Sequence, residues 1–301
     1  MERDLISLQD FNRWEIEALL KRASQLKEEL QRGHNKPTLA AKTLGLLFEK
    51  ASTRTRVSFQ VGMVQLGGSS LFLNASDLQL GRGEPISDTA RVLSRYLDGV
   101  VLRTVSHQTI LEFARYATIP VINGLSDLFH PCQILADLFT ILEVKGTMCG
   151  IKVAYVGDGN NVANSWVEAA TKFPFQLTLA CPKGYGPDKE IMKAANELAS
   201  IELTTDAEEA AADADVLYTD VWVSMGDEAQ EQKRRRIFKR YQLNDKLLEV
   251  AKNDVLVLHC LPAHREEEIT SKVLEGHFSI ILNQAENRLH VQKAVLEALL
   301  G

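Results

Sequence analysis

Hydrophobic positions along this chain recur at two spacings, which predict short buried strands that alternate with amphipathic helices. The strands are predicted at 43–49, 70–73, 99–102, 120–122, 151–156, 176–180, 201–203, 216–219 and 255–258. The helices are predicted at 12–33, 54–66, 87–96, 108–116, 133–145, 162–173, 187–199, 207–212 and 284–300. Strands that alternate with helices are typical of parallel sheets covered by helices on both faces.

The order of these elements predicts an α/β fold of two doubly wound parallel-sheet domains with an active-site cleft between them. The chain of 301 residues is long enough for two domains of ordinary size. The helix at 133–145 joins two strand–helix series, so we expect one domain at 1–133 and a second at 134–283. The final helix, at 284–301, is expected to pack back on the first domain.

Composition and charge limit the class of protein. With 45% hydrophobic and 25% charged residues, the chain is typical of a globular protein with sizeable cores. Its net charge of −6 argues against a general nucleic-acid binder. One basic run departs from this balance, at 233–236 with Lys239 and Arg240. Because acidic residues precede it, the run is predicted to be a solvated helix face.

The sequence contains no signal for a membrane or secreted protein. No apolar stretch reaches the ~18–20 residues of a membrane span, and the first ten residues lack the apolar core of a signal peptide. The cysteines at 132, 149, 181 and 260 are widely spaced and form no CxxC pair, so neither a disulfide framework nor a zinc site is predicted. A reduced, cytoplasmic protein is expected.

An anion site is predicted where the strand at 43–49 ends. The residues that follow are Ser52-Thr53-Arg54-Thr55-Arg56, at the start of a predicted helix. A helix N-terminus carries roughly +0.5 charge, so two arginines in its first turn are unfavourably placed. An anion would explain them, because free N–H groups, hydroxyls and a guanidinium form a phosphate cradle. The alternative is a capped helix with two solvated arginines.

Other unusual residues also follow predicted strands, where open α/β sheets bind their ligands. They are Arg103, His130-Pro131-Cys132-Gln133, Asp158-Gly159-Asn160-Asn161, the segment 220–226 and His259-Cys260-Leu261-Pro262. Each signal is weak alone: a His-Pro pair is commonly a turn, a buried cysteine is usually inert, and GDGNN lacks the third glycine of a dinucleotide fingerprint. Their convergence predicts one site.

Together these motifs resemble the carbamoyltransferase family, in order and over nearly the whole chain. They are STRTR at 52–56, HPCQ at 130–133, DGNN at 158–161, DVWVSMG at 220–226 and HCLP at 259–262. STRTR and HPxQ would also fit the aspartate branch of the family, whereas DxxxSMG together with HCLP is similar to the ornithine branch. One position departs from the family pattern: Glu266 stands where many relatives have glycine. Arg82 lies in a variable loop, which carries other basic residues elsewhere in the superfamily.

The resemblance implies transfer of the carbamoyl group of carbamoyl phosphate to the side-chain amine of L-ornithine, giving L-citrulline and phosphate in arginine biosynthesis. It implies a carbamoyl-phosphate-binding domain at 1–133, an ornithine-binding domain at 134–283, and no metal or organic cofactor. It also implies a homo-oligomer, a homotrimer in many relatives and a dodecamer in some, because Gln79 serves the site of a neighbouring subunit in the family. No nucleic-acid or membrane partner is expected.

The same resemblance assigns residues to each substrate. Those implied for carbamoyl phosphate are Ser52, Thr53, Arg54, Thr55, Gln79, Arg103, His130, Gln133, Cys260, Leu261 and Arg288. Those implied for ornithine are Asn161, Asp220, Ser224 and Met225. Arg103, His130, Asp220 and Cys260 are the catalytic candidates. The proton acceptor for the attacking amine stays open between Cys260, Asp220 and the departing phosphate.

Other interpretations remain. A nicotinamide dehydrogenase is suggested by the turn after 151–156, but Cys181-Pro182-Lys183 follows the next strand, where a ribose-binding acid is expected. A non-catalytic regulatory relative should lack site arginines or His130, and none is missing. Putrescine or an acylated ornithine is an alternative acceptor, although Ser224-Met225-Gly226 favours ornithine.

The charged segment at 223–241 is predicted to be a long polar loop that acts as a lid, with Gly226 as its hinge. We therefore expect ordered binding. Carbamoyl phosphate binds first and forms part of the ornithine site, and the lid closes second.

Overall fold

A computed structural model describes residues 4–79, 83–223 and 230–301 of the chain. These residues divide into two compact units. The first unit contains the chain up to Phe139 together with Asn287–Gly301, and the second is Thr140–Glu286. The chain passes between them within two of its helices. Among the described residues, no helix is both long and apolar enough to span a bilayer.

The first unit is built on a four-stranded sheet in the order β2-β1-β3-β4, with every pair parallel. Its strands are β1 (Thr43–Phe48), β2 (Ser69–Asn74), β3 (Gly99–Arg103) and β4 (Val121–Leu125). Its helices are α1 (Arg13–Gln31), α2 (Thr53–Gln65), α3 (Ile86–Leu93), α4 (His107–Tyr116) and the first part of α5 (Pro131–Lys145). The central strand β1 is buried from Leu44 onward because helices cover both of its faces, whereas the edge strand β2 is partly exposed.

The second unit is built on a five-stranded parallel sheet in the order β7-β6-β5-β8-β9. Its strands are β5 (Lys152–Val156), β6 (Gln176–Ala180), β7 (Ile201–Thr204), β8 (Val216–Thr219) and β9 (Leu256–His259). The helices that follow α5 are α6 (Asn161–Lys172), α7 (Lys189–Ala195), α8 (Ala207–Ala211), α9 (Glu231–Phe238), α10 (Asp245–Val250), α11 (Ser271–Leu274) and α12 (Ile281–Leu300). From Asn287 onward α12 belongs to the first unit.

The prediction of two parallel-sheet α/β domains is confirmed, since both sheets are parallel and their strands alternate with helices. The prediction of a long polar loop at 223–241 is wrong for its second half, which forms α9. The reason is that Phe238 on this helix is fully buried, and its ring contacts those of Tyr185 and Trp222 at centroid distances of 5.1 and 6.2 Å. Apolar packing of one side chain therefore holds a mostly charged helix in place. Gly226, the predicted hinge, lies outside the described residues.

Candidate active site

The first group of predicted site residues lies where the sheet order of the first unit reverses. Strand β1 pairs with β2 on one side and β3 on the other, and Phe48 lies in register with Arg103 at the carboxyl end. Such a reversal point is where open α/β sheets bind ligands. Ser52 caps α2 and accepts a hydrogen bond from the Thr55 backbone N–H at 3.3 Å. The predicted cradle therefore sits at this point.

Three arginines of this unit act electrostatically on His130. It is buried immediately before α5, and burial holds the pKa of its imidazole well below the usual value. The positive charges of Arg288, Arg103 and Arg54 lower that pKa further. At neutral pH His130 is therefore an uncharged imidazole among guanidinium groups. Such a cluster attracts an anion, and the imidazole is able to donate one hydrogen bond to it.

A chain of buried hydrogen bonds connects Thr55 to Asp137. Arg288 donates to the Thr55 hydroxyl at 2.7 Å and to the side-chain oxygen of Gln133 at 3.0 Å. Gln133 in turn donates through its Nε2 to Asp137 at 2.8 Å. Because a carboxylate only accepts hydrogen bonds, Asp137 fixes the Gln133 amide with its oxygen directed at Arg288. Thr55, Gln133 and Arg288 thus hold one another in place, with Asp137 as a support that the sequence motifs did not reveal.

Cys132, the cysteine of the HPCQ motif, has no chemical role in this arrangement. It is fully buried and donates weakly to the Asn123 carbonyl at 3.4 Å. Burial raises the pKa of its thiol to about 12, so the nucleophilic thiolate is scarce at neutral pH. Cys132 behaves as a small packed hydrophobic residue, which is the interpretation preferred for buried cysteines.

The second group lies at the matching reversal point of the second unit, between β5 and β8. Asn160 follows β5, caps α6 by accepting from the backbone N–H of Val162 at 2.9 Å, and donates to Asp220 at 2.7 Å. Asp220 follows β8 and is almost fully buried. The two loops that end these strands are thus joined by one side-chain hydrogen bond.

The HCLP turn reaches the same carboxylate. The Cys260 thiol donates to the second oxygen of Asp220 at 2.8 Å. Leu261 has a φ of +58°, and its N–H donates to Nδ1 of His259 at 2.8 Å. The proton of the His259 ring must then be on Nε2, which faces Glu268 at 3.0 Å. The His259–Glu268 pair therefore supports the conformation in which Cys260 meets Asp220.

Three ligand-forming residues of this turn region, Asp220, His259 and Cys260, have atoms within 4.8 Å of one another. His264, Glu267 and Glu268 form a second set with the same spacing. Hydrogen bonds within the protein already use Asp220, Cys260, His259 and Glu268. These side chains are therefore arranged to hold each other.

The structure does not bring every predicted site residue to these two groups. Gln79 is exposed in the loop after β2, where its carbonyl accepts from the Glu84 N–H at 3.1 Å. Asn161 is the first residue of α6, beside Asn160. Ser224 and Met225 lie outside the described residues, as does the variable Arg82. The substrate-binding and catalytic roles of the site residues remain predictions.

One residue of the predicted solvated helix face is buried, so that prediction is wrong for Arg234. Only 5% of Arg234 is exposed, and its guanidinium forms an ion pair with Asp158 of the DGNN motif. The sequence gives little signal for this, because its neighbours in the run are also basic. The one usable signal is the spacing of Arg234 and Phe238, four residues apart on one helix face.

Comparison with known proteins identifies the family of the chain. The family model described as "Aspartate/ornithine carbamoyltransferase, carbamoyl-P binding domain" matches residues 3–143. The model described as "Aspartate/ornithine carbamoyltransferase, Asp/Orn binding domain" matches residues 149–299. The chain belongs to the aspartate/ornithine carbamoyltransferase family. Membership of this family contradicts the dehydrogenase interpretation.

Individual relatives carry a narrower name. The chain is 56% identical over 304 residues to the ornithine carbamoyltransferase of Syntrophus aciditrophicus, with 100% of both chains covered. The structure of ornithine carbamoyltransferase from Pyrococcus furiosus superposes with a TM-score of 0.94 at 53% identity, covering 98% of this chain and 96% of that one. The structure of the anabolic ornithine carbamoyltransferase of Campylobacter jejuni superposes with a TM-score of 0.94 at 44% identity, covering 99% of this chain and 98% of that one.

Proposed function

We propose that this protein is a carbamoyltransferase that moves the carbamoyl group of carbamoyl phosphate to the side-chain amine of L-ornithine. The products are L-citrulline and phosphate. One observation carries the proposal: relatives that match over the full length, at 56% and 53% identity, are named ornithine carbamoyltransferases. The two groups of residues described above supply a chemical rationale for each half of that reaction.

The anion pocket of the first unit suits carbamoyl phosphate, which is a dianion with a reactive acyl carbon. The α2 N-terminus with Arg54 and Arg103 would hold the phosphate through backbone N–H groups and charged hydrogen bonds. Thr55, Arg103 and His130 would face the carbamoyl oxygen, where negative charge grows as the amine attacks. A positioned donor of this kind contributes roughly 2.7–4 kcal/mol to transition-state stabilisation.

Neutral His130 suits this role better than a charged imidazolium would. Its lowered pKa keeps it uncharged between the arginines, so it supplies a hydrogen bond without adding to their mutual repulsion. Gln133 would accept from the carbamoyl NH₂ through the oxygen that also faces Arg288. This orientation of the amide depends on Asp137.

The carboxylate group of the second unit suits an amino-acid acceptor. Asp220 would bind the α-ammonium of ornithine, while Asn161 with Ser224 and Met225 would bind its amino-acid end. The side-chain amine must attack without its proton, and with a lysine-like pKa near 10.4 this costs about 4.6 kcal/mol at pH 7. Asp220, Cys260 and the departing phosphate are the three candidates for the proton, and the Cys260–Asp220 hydrogen bond makes the first two a coupled pair.

The proposal assigns carbamoyl phosphate to the first unit and ornithine to the second. Transfer then requires the amine to meet the carbamoyl carbon, and the predicted cleft between the two domains is part of this proposal. We also propose that the chain forms domains at 1–133 and 134–283, with the helix at 284–301 as part of the first domain. An anabolic role is supported by likeness to the anabolic enzyme from Campylobacter jejuni, and a cytoplasmic location completes the proposal.

We further propose a homotrimer whose active sites are shared. One helix face supports this: Val57, Val61 and Val64 lie on one side of α2 and are 50%, 38% and 69% exposed. Leu71, on the adjoining edge strand β2, is 52% exposed. An exposed apolar stripe of this kind, on the helix that begins at the predicted anion cradle, is typical of a surface that another subunit covers. Gln79, in the loop after β2, would then complete the neighbour's pocket.

A purified preparation assayed against several acceptors tests the activity. Carbamoyl phosphate is supplied with L-ornithine, putrescine, an acylated ornithine or L-aspartate, and both phosphate release and the carbamoylated product are measured. We expect citrulline from ornithine at a kcat/KM far above that for the other three acceptors. Formation of carbamoyl-aspartate, or a preference for putrescine or the acylated ornithine, would overturn the assignment.

A further inference from the structure

Arg234 differs from the other basic residues around it. Lys233, Arg235, Arg236, Lys239 and Arg240 are exposed, whereas Arg234 is 5% exposed. An arginine keeps its charge even when buried, so its position requires partners on several sides. The structure provides these partners from two separate loops.

One edge of the Arg234 guanidinium forms the ion pair with Asp158. Its Nε–H donates to the backbone carbonyl of Trp222 at 2.6 Å. Asp158 opens the loop after β5, and Trp222 lies two residues beyond Asp220 in the segment after β8. A single side chain from α9 is therefore bonded to both loops of the proposed acceptor site.

The same two loops are already joined by the hydrogen bond from Asn160 to Asp220. Arg234 provides a second connection two residues away from each end of that bond. With two connections the loops cannot turn about a single hydrogen bond, and the Asp220 carboxylate is held in one direction. Arg234 would therefore act on the acceptor through Asp220 and the loops that carry it.

Aromatic packing holds Arg234 in that position. Its guanidinium carbon lies 5.1 Å from the ring centroid of Tyr185 and 5.3 Å from that of Phe238. The Tyr185 carbonyl also accepts from the Gly159 N–H at 2.8 Å. Gly159 is required there, because an added Cβ would lie 2.1 Å from the carbonyl carbon of Gly186. The Asp158–Asn161 loop is thus fixed on both sides.

We propose that Arg234 is a positioning residue for the amino-acid acceptor, which orders Asp220 and Asn161 by fastening the loops that carry them. The inference rests on the proposed function and adds a residue to it. Lysine cannot replace arginine here, because an ammonium group lacks the planar fork that reaches Asp158 and the Trp222 carbonyl together. Charge alone is therefore insufficient at this position.

The test compares Arg234→Lys and Arg234→Met with the matched variant Arg236→Met, from the exposed side of the same helix. KM and kcat are measured for both substrates, with Tm as a check on folding. Binding of L-norvaline, an unreactive α-amino acid, is measured by calorimetry with carbamoyl phosphate present. Both Arg234 variants should raise the ornithine KM and the norvaline Kd at least tenfold. KM for carbamoyl phosphate should stay within twofold, and Arg236→Met should match the parent protein.

Unchanged ornithine KM and norvaline Kd in a folded Arg234→Lys protein would overturn the inference, as would equal losses for the two substrates. If the Arg234 variants do not fold, Asp158→Asn decides, because it removes one charge of the pair and keeps an acceptor oxygen. That variant should show the same selective loss of acceptor affinity, and normal affinity would refute the inference. Inactivity of the parent protein would instead refute the proposed function.

Discussion

At the scale of single residues, the two arginines in the first turn of α2 have different surroundings. Arg54 is half-buried and is close enough to His130 to lower the pKa of its imidazole. Arg56 is exposed, and its guanidinium carbon lies 3.7 Å from the ring centroid of Phe72. The same residue type, two positions apart, is directed at an anion pocket in one case and stacked on an aromatic ring in the other.

Replacing Arg54 by alanine should therefore be far more damaging than replacing Arg56. Loss of Arg54 leaves a desolvated phosphate without one of its charged partners, so kcat/KM should fall by about a thousandfold, or roughly 4 kcal/mol of transition-state stabilisation. Arg56→Ala serves as the control and should change kcat/KM by less than about tenfold. Steady-state kinetics with carbamoyl phosphate as the varied substrate measures both. Near-normal kinetics for Arg54→Ala would mean that the cradle does not bind phosphate.

The buried, neutral His130 should make the fold sensitive to acid. Its folded pKa is depressed by burial and by Arg288, Arg103 and Arg54, so below about pH 6.5 the unfolded chain takes up a proton that the folded chain resists. Stability is therefore lost as pH falls through that range, at up to roughly 1.4 kcal/mol per pH unit for this one group. His130→Asn should show a shallower loss when unfolding by urea is compared between pH 8 and pH 5. Identical slopes would contradict this explanation.

Some site residues could be predicted from sequence, and others only from packing. The cradle and the loops after β5, β8 and β9 were found because polar residues interrupt apolar strands, a local signal. Asp137 was missed, although a carboxylate four residues after Gln133 on an apolar helix points to an i,i+4 pair. Arg234 could not be separated from its basic neighbours, because burial of one of them is decided by the tertiary position of Phe238.

At the scale of the structural element, the turn between the HCLP motif and α11 explains the one clear departure from the family pattern. Glu266 has a φ of +65°, in the left-handed region where glycine is favoured. Its carboxylate accepts from the backbone N–H of Ser271 at 2.9 Å, at the start of α11, and this bond lowers the pKa of Glu266. Glutamate at this position lacks the conformational freedom of glycine, but its carboxylate stabilises the start of the next helix.

Two variants at position 266 separate these effects. Glu266→Ala and Glu266→Gly both lose the bond to Ser271, but only glycine relaxes at positive φ. The glycine protein should therefore have the higher Tm of the two, by a few degrees, in thermal unfolding followed by circular dichroism. An alanine variant as stable as the glycine variant would show that this backbone position is not strained.

The strands and most helices could be predicted from spacing, whereas two short helices could not. Strands β1, β3, β5 and β8 were located because they are apolar runs buried on both faces. Helices α10 and α11 were missed, since six and four residues show too few turns for a periodic signal. β4 extends to Leu125 beyond the predicted end at 122, because Asn123 and Gly124 are buried in the sheet despite their turn-forming character.

At the scale of the whole molecule, the position of Gln79 bears on assembly. It lies after β2, the edge strand of the first sheet, whereas the cradle follows the inner strand β1. An exposed residue beyond an edge strand is well placed to reach another subunit of the proposed trimer, and the exposed valines of α2 offer apolar surface for such a contact. A closed ring in which each subunit completes its neighbour's site uses one heterologous interface.

Mixing two inactive proteins tests for shared sites. In the proposed homotrimer, Arg54→Ala and Gln79→Ala subunits each lack one component of every site when assembled alone, so both proteins should have little activity. When they are dissociated and reassembled together in equal amounts, ~1/4 of the sites should receive Arg54 from a Gln79→Ala subunit and Gln79 from an Arg54→Ala neighbour. Activity should rise toward that fraction of the parent value, with mass spectrometry confirming mixed trimers. The control mixes Arg54→Ala with Arg103→Ala, two residues of the same pocket, and should give no recovery. If verified Arg54→Ala and Gln79→Ala trimers also stay inactive, each site is built from one subunit alone.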